Sequence, residues 1–170
     1  MEFVELDELT RADWAGVVAG EHEPFGPEGG ELAWREKERH FALRAGDGRL
    51  LALAATVPVA IEIDGARSFE VVGLGGVIVT RAERGRGLMA KVVEPVLSLA
   101  REMGPDHAML FCHRGLVPVY GRLGFSEITA AVWAEQSRGP VKMPMCAMWL
   151  ALRAGATWPA GRVDVLGLPF

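Results

Sequence analysis

Two periodicities alternate along this chain. Leu50–Ile63 and Phe69–Thr80 are almost wholly apolar, as strands buried on both faces of a sheet must be. Gly46-Asp-Gly-Arg49 and Asp64-Gly65 punctuate them and predict a meander of hairpins that begins with Phe41–Ala45. Leu88–Met103 has the helical period instead. Met89, Val92, Val93, Val96, Leu97, Ala100 and Met103 form one stripe, and Pro95 inside it predicts a kink or a later start. Shorter elements complete the pattern. Phe3–Leu6, His107–Cys112, Ile128–Ala134 and Met145–Leu150 read as strands. A helix capped by Thr10 or Asp13 runs to about Ala19, and Pro118 opens another over Val117–Leu123. Glu31–His40 is expected to start a further helix around Leu32 and Trp34, after the Gly/Pro loop His22–Gly30. The order predicts an α+β (mixed α/β) fold with one layer of mixed, mostly antiparallel sheet flanked by helices.

Composition narrows this picture. The 170 residues are 50% hydrophobic, enough for one domain with a real core over residues 1–170. A net charge of −4 argues against nucleic acid as a partner. Basic residues instead gather locally at Arg81, Arg84 and Arg86, which suits a small anion. The acidic start lacks the features of a signal peptide, and no apolar run reaches membrane-spanning length, so a cytoplasmic protein with no membrane partner is expected. Cys112 and Cys146 lie in apolar strand-like runs and read as core thiols. His107, Cys112 and His113 lack a fourth ligand at recognisable spacing, so no metal site is expected.

The chemistry concentrates in Val77-Ile-Val-Thr-Arg-Ala-Glu-Arg-Gly-Arg-Gly-Leu88. A strand enters a basic, glycine-rich turn that opens a helix, so backbone N–H groups converge on one point and can cradle phosphate. A dinucleotide-binding fold is excluded, because no glycine-rich turn joins the first strand to the first helix.

With Arg84-Gly-Arg-Gly-Leu-Met89 and Tyr120-Gly-Arg-Leu-Gly-Phe125 in order, separated by a helix and a strand, the chain resembles the GNAT superfamily of acetyl-CoA-dependent N-acyltransferases from about Leu50 to Val132. The first Arg and the fourth-position Gly of the family's Arg/Gln-x-x-Gly-x-Gly/Ala motif are present, and Met89 stands where the family prefers a small residue. The resemblance implies acetyl-CoA as cofactor and an amine as substrate, with direct attack and no covalent enzyme intermediate. It implies that Arg84, Gly85, Arg86, Gly87, Leu88 and Met89 wrap the pyrophosphate. Backbone groups of Val77, Ile78 and Val79 would flank the pantetheine arm and the acetyl carbonyl. Tyr120, the only tyrosine, is implied as general acid to the departing thiolate. Phe25-Gly26, Asp47-Gly48 and Trp158-Pro-Ala-Gly161 resemble the branch of aminoglycoside 2'-N-acetyltransferases and nodulation N-acyltransferases.

That branch carries a glutamate base where this chain has Gly75, so the base is open. Candidates are His113, Glu70, Glu21, Glu23, His22 and the terminal carboxylate of Phe170, or a water relay. Asp13, Glu21, Glu23, Glu28 and Glu31 would favour a cationic small-molecule amine if they face the acceptor. Two other readings stand beside this one: a non-catalytic acyl-CoA-binding protein, and a transferase of longer acyl chains with a channel along Leu74, Val77 and Leu110. The strands flanking Glu135–Pro144 offer an edge for a homodimer.

Overall fold

The computed structural model describes residues 1–170. Its elements in chain order are β1 Glu2–Leu6, α1 Arg11–Val18, β2 Arg39–Arg44, β3 Leu50–Ile63, β4 Arg67–Val79, α2 Leu88–Ala100 and β5 His107–Cys112. They continue with α3 Val117–Arg122, β6 Ser126–Glu127, β7 Val132–Ala134, β8 Val141–Lys142, β9 Cys146–Ala151 and β10 Val163–Val165. Two short 3-10 turns, Arg81–Glu83 and Arg114–Leu116, precede α2 and α3.

The strands form one mixed sheet in the order β6-β9-β5-β4-β3-β10-β7-β8, with β2 and then β1 also attached along β3. β3 has 14 residues and serves two neighbours on one edge, β2 through Leu50–Thr56 and β10 through Ile61–Ile63. The sheet is curled. β6 and β7 stand far apart in the strand order, yet only Ile128–Ala131 joins them, a stretch that reaches about 3.5 Å per residue. Of the expected strand Ile128–Ala134 only Val132–Ala134 forms, because Ile128–Ala131 is the crossing itself. β8 is only two residues long, so the edge expected to pair with a second copy is blunt.

Two faces carry separate cores. On one, α2 buries Leu88, Val92, Val93, Val96, Leu97 and Ala100 against Leu74, Leu110 and Tyr120. Each large aliphatic side chain so buried contributes about 1.5–3 kcal/mol. α2 runs through Pro95 and ends at Ala100, three residues short of Met103. On the other face, Val57, Val59, Ile61, Val71 and Met109 pack with Val163, Val165 and Phe170 of the last segment. The apolar C-terminal stretch is buried through a short strand and a core aromatic. α1 caps a smaller third cluster of Val17, Ala42, Leu50, Leu53 and Ile78. Thr10 and Asp13 both cap it, as a reciprocal capping box.

The helix expected at Glu31–His40 does not form. Its backbone donors go to distant partners: Ala33 N to Gln136 Oε1 at 2.9 Å, Arg35 N to Pro169 O at 2.7 Å, and Glu38 N to Thr56 O at 3.0 Å. The Trp34 indole donates to Gly29 O at 3.0 Å, and Leu32 and Trp34 pack onto the tail-side core. Tertiary hydrogen bonds and burial outweigh the local helix propensity here.

Candidate active site

β4 and β5 are parallel and paired only at Val72–Ala108 and Gly73–Met109. Beyond those pairs the strands part, and the edge of β4 from Leu74 onward has no partner strand. Gly75, Gly76 and Val77 are accordingly half-exposed within an otherwise buried strand. The pairing of β3 with β4 shifts by one residue between Leu53 and Ala55, so β4 carries a bulge there. Gly76 has φ +59°, a left-handed conformation that favours glycine. The Gly75-Gly76 pair was the sequence signal for this bulge, and strand periodicity alone passed over it.

β4 leads into the glycine loop. Gly85 has φ +79° and Gly87, the N-cap of α2, has φ +72°. A Cβ on either glycine would meet nothing within 4 Å, so the space above the loop is open and the glycines serve the backbone turn. No side chain caps α2, and Lys91 N is the donor that reaches back to Gly87 O. The preceding N–H groups are thus free of helical partners, and with the helix dipole they form a site for an anion such as a pyrophosphate. Leu88 is buried and Met89 packs on the α2-side core, so Met89 does not fill the loop.

The Arg84 and Arg86 side chains make ion pairs within the chain. Arg84 makes a two-pronged ion pair with Glu21, at 3.0 and 2.6 Å, and its Nε donates to Val79 O at 3.1 Å. It braces the loop against the segment after α1. The Arg84 guanidinium holds the Glu21 carboxyl below its usual range, which weakens Glu21 as a base. Arg86 pairs with Glu83 at 2.7 Å and remains on the rim. Ile78 turns its side chain into the α1 cluster, while Val77 and Val79 lean on the α2-side core.

Tyr120 lies on the α2 side, 4% exposed, with its ring edge-on to Phe125 at 5.8 Å. Its hydroxyl has no hydrogen-bond partner in the chain and is not among the sealed, unpaired polar atoms, so it opens toward solvent. Burial first, and the neighbouring Cys112 second, push the phenol well above its usual range. Burial likewise pushes the Cys112 thiol up to about 12, and its Sγ contacts Met148 Sδ at 3.7 Å. Cys112 is an inert core thiol, and Cys146 is half-buried opposite it across β5 and β9.

His113 follows β5 as expected, but it is clamped. Its Nδ1 bonds Glu28 Oε2 at 2.7 Å, and its Nε2 bonds the Phe25 carbonyl. Both ring nitrogens therefore face an oxygen of the Phe25–Glu28 segment, which holds the ring in place. Glu70 is exposed near the far end of β4, and His22 and Glu23 are exposed in their loop. The acidic residues expected to draw a cation are largely engaged: Asp13 caps α1, Glu21 holds Arg84, and Glu28 holds His113. Of the residues expected along an acyl channel, Leu74 and Leu110 are each 1% exposed and Val77 is half-exposed at the parting.

Phe170 is brought to the site. Its ring stacks at an angle on Phe111, centroids 5.1 Å apart, and fills the hollow above Gly73. Its main-chain carbon lies 3.3 Å from where a Cβ on Gly75 would stand. Lys37, which carried no signal in the sequence, reaches the same point, with Cε 2.5 Å and Nζ 3.3 Å from that position. A cavity of about 410 Å³ opens between Glu28, Arg114, Glu127, Lys142, Met143 and Cys146 and is lined by neither Lys37 nor Phe170. A larger concavity of about 650 Å³ on the outer face of α2 holds none of these groups.

No curated protein sequence matches the chain. The family of the acetyltransferase (GNAT) domain matches residues 5–128. Among solved structures, the ribosomal-protein-S18-alanine N-acetyltransferase of Escherichia coli is similar at 17% identity and TM-score 0.59, covering 94% of this chain and 99% of its own. Escherichia coli ElaA is similar at 22% identity and TM-score 0.58, covering 88% and 98%. The Escherichia coli GNAT family N-acetyltransferase YhbS, solved in complex with CoA, is similar at 18% identity and TM-score 0.54, covering 78% and 73%. The open glycine cradle at the start of α2 fits the same cofactor. This chain belongs to the GNAT acetyltransferases, N-acetyltransferases that use acetyl-CoA.

Proposed function

We propose that the protein transfers the acetyl group of acetyl-CoA directly to a primary amine that enters from the Phe170 side of the sheet. The observation that carries this reading is the parting of β4 and β5 beside the open glycine loop. The loop N–H groups from Gly85 to Met89 receive the pyrophosphate, and the β4 edge at Val77–Val79, which no strand covers, offers the backbone groups that Arg84 leaves free to the pantetheine arm. Arg84 supports the loop through Glu21 rather than touching phosphate.

Tyr120 serves the leaving sulfur. Its raised phenol stays neutral at every working pH and so always presents an O–H donor. An ordinary thiol titrates near about 8.5, so the phenol stabilises the departing thiolate by a hydrogen bond while keeping its own proton. This refines the role of general acid that the family resemblance implies. The acceptor is a primary amine. Aminoglycosides, a finer expectation, lose the support of the acidic loops, whose carboxylates are largely paired.

The test is thiol release from acetyl-CoA over a panel of aminoglycosides, polyamines, small amines and peptide N-termini. Turnover is expected with one class. Tyr120→Phe is expected to lower kcat about 10²-fold with acetyl-CoA affinity kept. Binding of acetyl-CoA without release for any amine overturns the acceptor reading, and an unchanged kcat in Tyr120→Phe overturns the role of the phenol.

A further inference from the structure

We infer that Lys37 is a catalytic residue of the acceptor half of this site, taking the proton that the attacking amine sheds. The inference rests on the acceptor reading above and names the base it leaves open.

Geometry carries it. His40 of β2, Ala55 of β3 and Gly75 of β4 stand in one row across the sheet by their pairing, and so share one face. Lys37 lies over the Gly75 end of that row. A side chain on Gly75 would collide with the lysine Cε, so the glycine and the lysine fit each other. The segment holding Lys37 is pinned on both sides by Arg35 N to Pro169 O and Glu38 N to Thr56 O. The ammonium nitrogen has one partner, the Arg35 carbonyl at 3.0 Å, and pairs with no Asp or Glu side chain. Gly75 lies two residues past the last β4–β5 pair, at the mouth of the parting. Tyr120 belongs to the opposite, α2-side core. Lys37 and Tyr120 thus lie on opposite faces of the sheet.

Burial and a neighbouring positive charge work against the ammonium form. Burial first, then the charge of Arg35, pull the lysine below its usual range, and His40 is pulled down by burial and by Lys37 in turn. β3, β4 and β5 present Ala55, Gly75 and Phe111 here, none of them titratable. The main-chain end of Phe170 is the remaining group, and a carboxylate on it would work in the opposite direction by holding the ammonium. In the step itself, the acceptor nitrogen bonds the acyl carbon, the carbon–sulfur bond breaks, and sulfur leaves as thiolate. The proton lost by the nitrogen moves to Lys37 Nζ, which becomes an ammonium and later returns that proton to water.

Competitive labelling with a small amine-directed reagent over about pH 6 to 11, read by mass spectrometry, measures Lys37 without any acceptor. Its midpoint is expected below those of the exposed Lys91 and Lys142. A midpoint equal to theirs or higher overturns the inference, because the lysine is then held charged against the Phe170 end. The second arm uses Lys37→Met and Lys37→Arg with the panel amine that releases thiol most rapidly. Both variants are expected to bind CoA as the wild type does and to lose about 10²-fold in kcat/KM. The rise of kcat/KM with pH should move from the Lys37 midpoint to that of the acceptor amine. Turnover retained in Lys37→Arg overturns the inference. If the wild type releases thiol with no amine, the acceptor reading fails, and the labelling midpoint still decides Lys37.

Discussion

Burial acts with opposite sign on a thiol and on an amine, and the site contains both. A desolvated thiol keeps its proton and a desolvated ammonium sheds it. Cys112, 3% exposed and pushed up to about 12, should therefore resist alkylation by iodoacetamide near pH 8 in the folded protein. Cys146 is less buried and is expected to react first, as peptide mapping would reveal. Rapid modification of Cys112 would show that its pocket is open. Cys112→Ala should keep thiol release within about twofold, since direct attack needs no enzyme nucleophile. The residues legible in the sequence were those whose chemistry is local. The Gly85-Gly87 turn and Tyr120 stand in recognisable spacing. Lys37 and the paired state of Glu21 and His113 were not legible, because each depends on a partner far along the chain: Gly75, Arg84 and Glu28.

At the scale of elements, the junction of β4 with α2 does most of the positioning. The start of α2 must turn through two positive-φ residues to aim its N–H groups at one point. Gly87→Ala leaves the surrounding space free, since nothing lies within 4 Å, yet forces a Cβ into φ +72° at a cost of about 1–2 kcal/mol. The loop is expected to relax away from the cradle, so CoA affinity should fall by roughly tenfold while the melting temperature falls by no more than about 2–8 °C. Calorimetry of CoA binding checks this, and wild-type affinity would mean that the loop N–H groups do not hold the phosphates. Long periodic elements such as β3, β4 and α2 were readable because their pattern repeats over many residues. Glu31–His40 was misread as helix because its donors are claimed by Gln136, Pro169 and Thr56, which no local window contains.

At the scale of the molecule, the last segment ties together the face of the sheet on which Phe170 lies. β10 joins β3 to β7, and Phe170 closes the hollow over Gly73 beside the parting strands. The strand in this segment was not legible in the sequence, since three residues of pairing leave little periodic trace. Phe170 is 3% exposed, so Phe170→Ala should cost about 3–5 kcal/mol, read as the shift of a urea unfolding midpoint. Gly73 and Phe170 share one volume: a Cβ at Gly73 would stand 2.6 and 2.8 Å from two ring carbons and 2.9 Å from Val59 Cγ2. Gly73→Ala alone therefore overpacks the site and should cost about 1–3 kcal/mol. In the double variant the ring is gone and most of the clash goes with it, so the two costs should not add. A double-mutant cycle is expected to show a coupling of at least about 0.5 kcal/mol in the direction of relief. Additive costs would mean that Phe170 does not occupy that hollow in solution, and the wall it gives the acceptor side would have to be sought elsewhere in the chain.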